Sequence, residues 1–270
     1  MVDNNYKEMW EDIGGDAGGS YLQIKFQPTY RIGLTNYLRE GEIYRFVKPQ
    51  KTDKILDVGC ASGRQVFKLA QSIEEGHGVD IADSFINQAN QFKSDNNILN
   101  VNFKTAVIES LPYRDGYFDK VICGEVLEHV FHKEEALKEL LRVLVPGGLL
   151  VISVPNLNAD GTWWGRFLRS IRVRKFCPMK HFSQDSLKKH GDSHVREFTA
   201  KTMREWLELS GLRVEKISSV SWIDGPYMDF LLKVPLHIPP LRKLTIWFEK
   251  LLTRSGLPFG RHLVLRAIKK

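Results

Sequence analysis

The chain has 270 residues, 43% of them hydrophobic, enough for one large domain with a substantial core. No apolar run approaches the roughly 18–20 residues that span a bilayer, and the polar start Met1-Val2-Asp3-Asn4-Asn5 lacks the apolar stretch of a secretion signal. The formal net charge of +7 is carried by residues 155–204, where eleven Lys and Arg face four Asp and Glu, and a localised excess points to an anionic partner.

The three cysteines, Cys60, Cys123 and Cys177, have no metal-ligand spacing and cannot all pair. They read as free thiols in a reducing, cytoplasmic compartment. Cys60 and Cys123 are expected to be small packing residues.

Residues 1–50 precede the first strand. Gly14-Gly15-Asp16-Ala17-Gly18-Gly19-Ser20 is a flexible loop or hinge, and the pattern beyond it predicts a helix over 35–46. Residues 51–155 alternate apolar strands with helical segments. Strands are predicted near 54–58, 76–80, 101–104, 119–123 and 149–154, and helices near 63–73, 83–94 and 133–144. This alternation specifies an α/β fold, a parallel, doubly wound sheet. Pro146-Gly147-Gly148 reads as a turn between the last of these helices and the fifth strand. Thr199 is placed to cap a helix over 200–210, Gly211 to end it, and further strands are predicted over 212–217 and 262–268. Segments at about 156–195 and 224–260 read as insertions.

The first strand ends in Asp57-Val58-Gly59-Cys60-Ala61-Ser62-Gly63, and Asp80 closes the second. That order is a nucleotide-type cofactor site at the carboxyl end of a parallel sheet. The spacing is not G-x-G-x-x-G, and a carboxylate two residues ahead of the glycine repels phosphate. It suits a cofactor with a positive charge and a ribose but no phosphate, as in S-adenosylmethionine.

Four segments in register resemble the class I S-adenosylmethionine-dependent methyltransferases, in the branch of quinone-biosynthesis and small-molecule enzymes. They are Ile55 to Gly63, Gly78-Val79-Asp80-Ile81, Leu111 to Val130, and Leu140 to Pro155. The resemblance implies a Rossmann-like seven-stranded sheet with an antiparallel last strand and helices on both faces. It also implies an N-terminal lid over residues 1–50 and a methyltransferase domain over 51–270. S-adenosylmethionine is the implied cofactor, with S-adenosylhomocysteine as product.

The same resemblance distributes the site residues. Asp57, Gly59, Cys60 and Gly63 surround the methionine end; Arg64 stands either beside its carboxylate or as an exposed helix arginine. Asp80 accepts from the ribose hydroxyls and Ile81 packs on adenine. The family often has an acid where Val107 stands, so adenine is left to backbone near Val107 and Ile108, or to Glu109. Where Ala61 stands the family usually has glycine.

Glu125 and His129 are four apart on a predicted nascent helix, which puts both on one face toward the methyl group and substrate, with Glu125 among the expected cofactor-binding residues. His129 is a candidate general base, or a residue that orders water by the cofactor. Glu128 points about 100° away and is expected to be solvated or capping. His194, ahead of Phe198-Thr199, is a second candidate base or substrate contact. Transfer can also proceed without a dedicated base, through placement and desolvation alone. His181, His190 and His194 complete no ligand set, and no metal site is expected.

Trp163 and Trp164 stand among Arg166, Arg169, Arg172, Arg174 and Lys175. Leu241, Leu244, Trp247, Phe248 and Leu251 follow helical spacing beside Arg242, Lys243, Lys250 and Arg254, with Pro235, Pro239 and Pro240 expected to break that helix into pieces. These segments fit contact with a membrane surface, contact with nucleic acid, or simple burial over the active site. The leading expectation is methyl transfer to a small or lipid-linked acceptor, at oxygen, by a cytoplasmic enzyme that makes peripheral membrane contact. An RNA methyltransferase is the alternative, disfavoured because no RNA-binding module is recognisable. A non-catalytic, cofactor-binding regulatory subunit is the third reading.

Overall fold

The computed structural model describes residues 31–158, 198–222, 238–256 and 260–270. In chain order the elements are α1 (Arg31–Val47), β1 (Lys54–Val58), α2 (Arg64–Ala70), β2 (Glu75–Asp80), α3 (Asp83–Asp95), β3 (Val101–Thr105) and β4 (Phe118–Gly124). A single 3-10 turn (Leu127–His129) follows, then α4 (Lys133–Val143), β5 (Leu144–Pro155), α5 (Ala200–Leu209), β6 (Leu212–Val220), α6 (Pro239–Arg254) and β7 (His262–Lys269).

The seven strands form one sheet in the order β3-β2-β1-β4-β5-β7-β6. All neighbouring pairs are parallel except those made by β7, which runs antiparallel between β5 and β6. Strands buried on both faces need continuous apolar sequence, and β1 supplies it in Ile55, Leu56 and Val58, with Asp57 as the one acid among them. The period of two divides each strand between the faces. Ile55, Ile122, Val151 and Val264 pack with Ile43, Phe46 and Val47 of α1 and Leu69 of α2. Leu56, Val121, Leu150, Ile152 and Leu265 pack on α4 and α5. In α4 the buried stripe is Ala136, Leu137, Leu140 and Val143; Glu134 and Glu135 in its first turn and Arg142 in its last complement the helix dipole. α3 closes the β2–β3 end, where Ile86 and Ala89 meet Cys60, Val66 and Phe103.

Two local expectations change, at Pro146-Gly147-Gly148 and at Pro239-Pro240. α1 packs into the core, with Leu34, Leu38, Ile43, Phe46 and Val47 all buried. Residues 1–30 lie outside the described residues, as do most of the two insertions. Pro146-Gly147-Gly148 does not precede the fifth strand but bulges within it, as the shift in β4–β5 register and the left-handed Gly147 show. Pro239 and Pro240 do not break α6. They occupy its first positions, where a missing N–H costs nothing. Thr199 does cap α5, in a reciprocal pair with Thr202.

Strand order reverses between β1 and β4, and the crevice at their carboxyl ends is where such folds bind ligands. Phe46→Ala should destabilise the protein by about 3–5 kcal/mol in denaturant unfolding, as for a large buried side chain. A change near zero would show that α1 stands apart from the cooperative core.

Candidate active site

The loop after β1 is built around backbone that few residues tolerate. Gly59 has φ 72, and a Cβ there would lie 2.2 Å from Val126 Cγ2. Its N–H and that of Cys60 both donate to Val79 O, at 2.8 and 3.0 Å. Ala61 is also left-handed, at φ 44, which explains why glycine suits this position in the resembled family. Its N–H donates to Asp80 Oδ2 at 2.8 Å, and the Ala82 N–H donates to Asp80 Oδ1 at 3.1 Å. The Asp80 carbonyl accepts from Ala106 N at 2.9 Å. One residue therefore joins the ends of β1, β2 and β3. Ile81, Val107 and Glu109 are half-buried beside it and Ile108 is buried.

Asp57 is 2% exposed, and no described residue gives its carboxyl a hydrogen bond or a cation. Burial, and then the charge of Asp80, raise its pKa to about 8. Cys60 and Cys123 are buried, and burial followed by neighbouring acids pushes both thiols up. They are neutral packing groups. Gly63, at φ 84, leads into α2, and the Arg64 guanidinium is paired with Glu40 of α1.

Glu125 and His129 do not share a helix face. Glu125 takes φ 58, and only Leu127–His129 form a helical turn beyond it. The Glu125 N–H donates to Ser153 O at 2.9 Å, and Ser153 Oγ donates to Glu125 Oε1 at 3.0 Å. Its Oε2 lies 3.3 Å from both Arg39 Nη1 and His262 Nε2. His129 is buried in the turn. Glu128, expected in solvent, is 3% exposed. Among the described residues no other residue gives its carboxyl oxygens a hydrogen bond, and burial, with Glu125 nearby, raises its pKa well above the usual range. His194 lies outside the described residues.

Arg39, Ser153 and His262 were not singled out from the sequence. His262 opens the last strand, and it reaches Glu125 because β7 pairs antiparallel with β5, setting His262 opposite Pro155. The only sequence signal was a histidine at the start of a strand, which carries no position by itself.

A family model described as a methyltransferase domain matches residues 49–209. The chain belongs to the methyltransferase-domain family. Its match and fold are those of the class I S-adenosylmethionine-dependent methyltransferases. The ubiquinone/menaquinone biosynthesis C-methyltransferase UbiE of Vibrio parahaemolyticus is 34% identical over 134 residues, 45% of this chain and 52% of that protein. The methyltransferase thus spans about half the length of these relatives. The ubiquinone biosynthesis O-methyltransferase of Rickettsia bellii is 29% identical over 213 residues, 75% of this chain and 86% of that protein. Among solved structures, phosphoethanolamine N-methyltransferase 2 of Haemonchus contortus, in complex with S-adenosyl-L-methionine, shares the fold at TM-score 0.56 and 14% identity, over 86% of this chain and 52% of that one.

The site fits the cofactor. A buried carboxyl with no cation, beside a second acid, is a place for a group with positive charge and hydroxyls, and a poor one for phosphate.

The raised Asp57 pKa has a definite sign. Between about 4 and about 8 the folded protein holds a proton that the unfolded chain has released, so this group makes stability fall as pH rises through that window. Asp57→Asn should therefore gain stability relative to the parent protein from acid to mildly alkaline pH in thermal unfolding. Parallel curves for the two proteins would rule out a buried, raised Asp57.

Proposed function

We propose that this methyltransferase moves the methyl group of S-adenosylmethionine to a hydroxyl oxygen of a small, lipid-linked acceptor of the quinone-precursor kind. The buried, cation-free Asp57 beside Asp80 carries the donor half. The Rickettsia O-methyltransferase, which matches three quarters of this chain, supports the acceptor half. No helix of the described residues is long and apolar enough to cross a membrane.

The donor supplies a methyl group on a sulfonium. Asp57 is assigned to the methionine ammonium, with the Gly59 and Cys60 backbone along the methionine chain and Gly63 and Arg64 toward its carboxylate. Asp80, whose two oxygens accept from the Ala61 and Ala82 amides and so are fixed at the strand end, is assigned to the ribose hydroxyls. Ile81 packs on adenine, and backbone at Val107 and Ile108, or Glu109, meets its amino group. Glu125, held by Arg39, Ser153 and His262, forms the rim on the acceptor side. His129 is assigned to take the acceptor's hydroxyl proton, with His194 as the second candidate. The walls contribute placement and exclusion of water.

Titration calorimetry with S-adenosylmethionine tests the donor half. Binding should release a proton from Asp57 near neutral pH, and affinity should rise with pH and level off above about 8. Asp80→Ala should weaken binding by about 1–3 kcal/mol. Binding without proton release would remove Asp57 from the role.

His129→Ala should cut turnover by about 10²–10⁴-fold with little change in cofactor affinity. The acceptor half is read by transfer of a labelled methyl group to fractions of a cell extract. Label in the lipid fraction supports the proposal, and label in RNA overturns it.

A further inference from the structure

α6 is oriented against the usual rule. A surface helix turns its apolar side inward. In α6 the fully buried residues are Glu249 and Thr253, and Ile246 and Leu252 are only partly covered. The large apolar side chains face solvent: Leu244 and Trp247 are each 60% exposed, with Leu241, Phe248 and Leu251 also open. Half of the exposed large apolar side chains among the described residues lie between 238 and 251. Exposure is therefore concentrated in one patch, which marks a contact surface.

The charges on this helix complete the pattern. At about 100° per residue, Trp247, Leu251, Leu244, Phe248 and Leu241 span an arc of about 120°, and Lys250, Lys243 and Arg254 occupy the arc beside it. Glu249 is the only acid of the helix. It is fully buried, and its Oε2 accepts from Trp222 N at 3.0 Å. The exposed surface thus combines an apolar arc with cations and carries no anion. Phosphates alone would use the cations and leave Leu241, Leu244 and Leu251 without a role. A second copy of the same helix would bring like charges together. An anionic bilayer uses both arcs, with acyl boundary against the apolar side and headgroups against the cations.

We propose that α6 docks the enzyme on an anionic lipid surface with its apolar arc facing the bilayer. Trp222, the residue that Glu249 holds, lies just past the carboxyl end of β6, on the sheet edge that also carries Asp57, Asp80 and Glu125. Docking there brings that edge to the membrane. Its purpose rests on the lipid-linked acceptor proposed above.

The test is flotation of the full chain with vesicles of phosphatidylcholine, with and without phosphatidylglycerol. The parent protein should float with the anionic vesicles, and added salt should weaken that binding. Leu244→Glu with Trp247→Glu should lower binding by about tenfold or more, with circular dichroism and S-adenosylmethionine binding unchanged. Lys243→Gln with Arg254→Gln should remove the preference for anionic vesicles and keep the fold. No flotation of the parent, or equal flotation of the Leu244/Trp247 variant, overturns docking through α6. So does a parent dimer that this variant dissolves, because the face would then belong to a second copy. Methyl transfer to a lipid-linked acceptor dispersed in detergent, by a protein that does not float, would sink the docking alone. Flotation with no methyl transfer to any lipid fraction would sink the acceptor reading and leave the docking standing.

Discussion

The site depends on one carboxylate. Asp80 accepts from the backbone amides of Ala61 and Ala82 while its own carbonyl holds Ala106. The loop after β1 has three left-handed residues, at Gly59, Ala61 and Gly63, and would not keep that shape on local preference alone. A charged acceptor gripping its amide is stronger than a neutral one. The ends of three strands are thereby fixed to each other before any ligand arrives, so the enzyme does not have to order this wall when it binds.

The same edge stores unfavourable electrostatics. Among the described residues, no cation pairs with buried Asp57, and no other residue gives the Glu128 carboxyl a hydrogen bond. Each would be more comfortable as an apolar residue. In the role proposed for Asp57, a cationic ligand would turn that penalty into affinity. Glu128 is a second buried acid just past β4, with the charge of Glu125 near it. Stability is reduced where charge is to be received, as expected of functional sites.

The rim of the site comes from the far end of the chain. β7 enters the sheet between β5 and β6 and runs against both. That reversal delivers His262 to Glu125, where Arg39 arrives from α1. It also leaves the segment between β6 and β7 at the edge where ligands enter, and α6 is part of that segment. An insertion at this point reaches the environment of the acceptor without disturbing the strands that hold the donor.

Much of this was legible in the residues. The seven strands, the helices between them, the glycine loop with its two acids, and the cap at Thr199 all lie where apolar period and turn chemistry put them. These features depend on neighbours a few positions away, and local chemistry is written in order along the chain. The resemblance supplied the antiparallel last strand and the cofactor. What the sequence could not decide was which way side chains face and whom they meet. Four-residue spacing suggested a shared face for Glu125 and His129, but a left-handed Glu125 turned the chain and buried Glu128 instead. Prolines read as breaks in α6 were its start, because a missing N–H is harmless only at a helix beginning. Only the packed sheet could bring Glu125, Arg39, Ser153 and His262 together or turn the apolar side of α6 outward, since both depend on contacts between residues far apart in the chain.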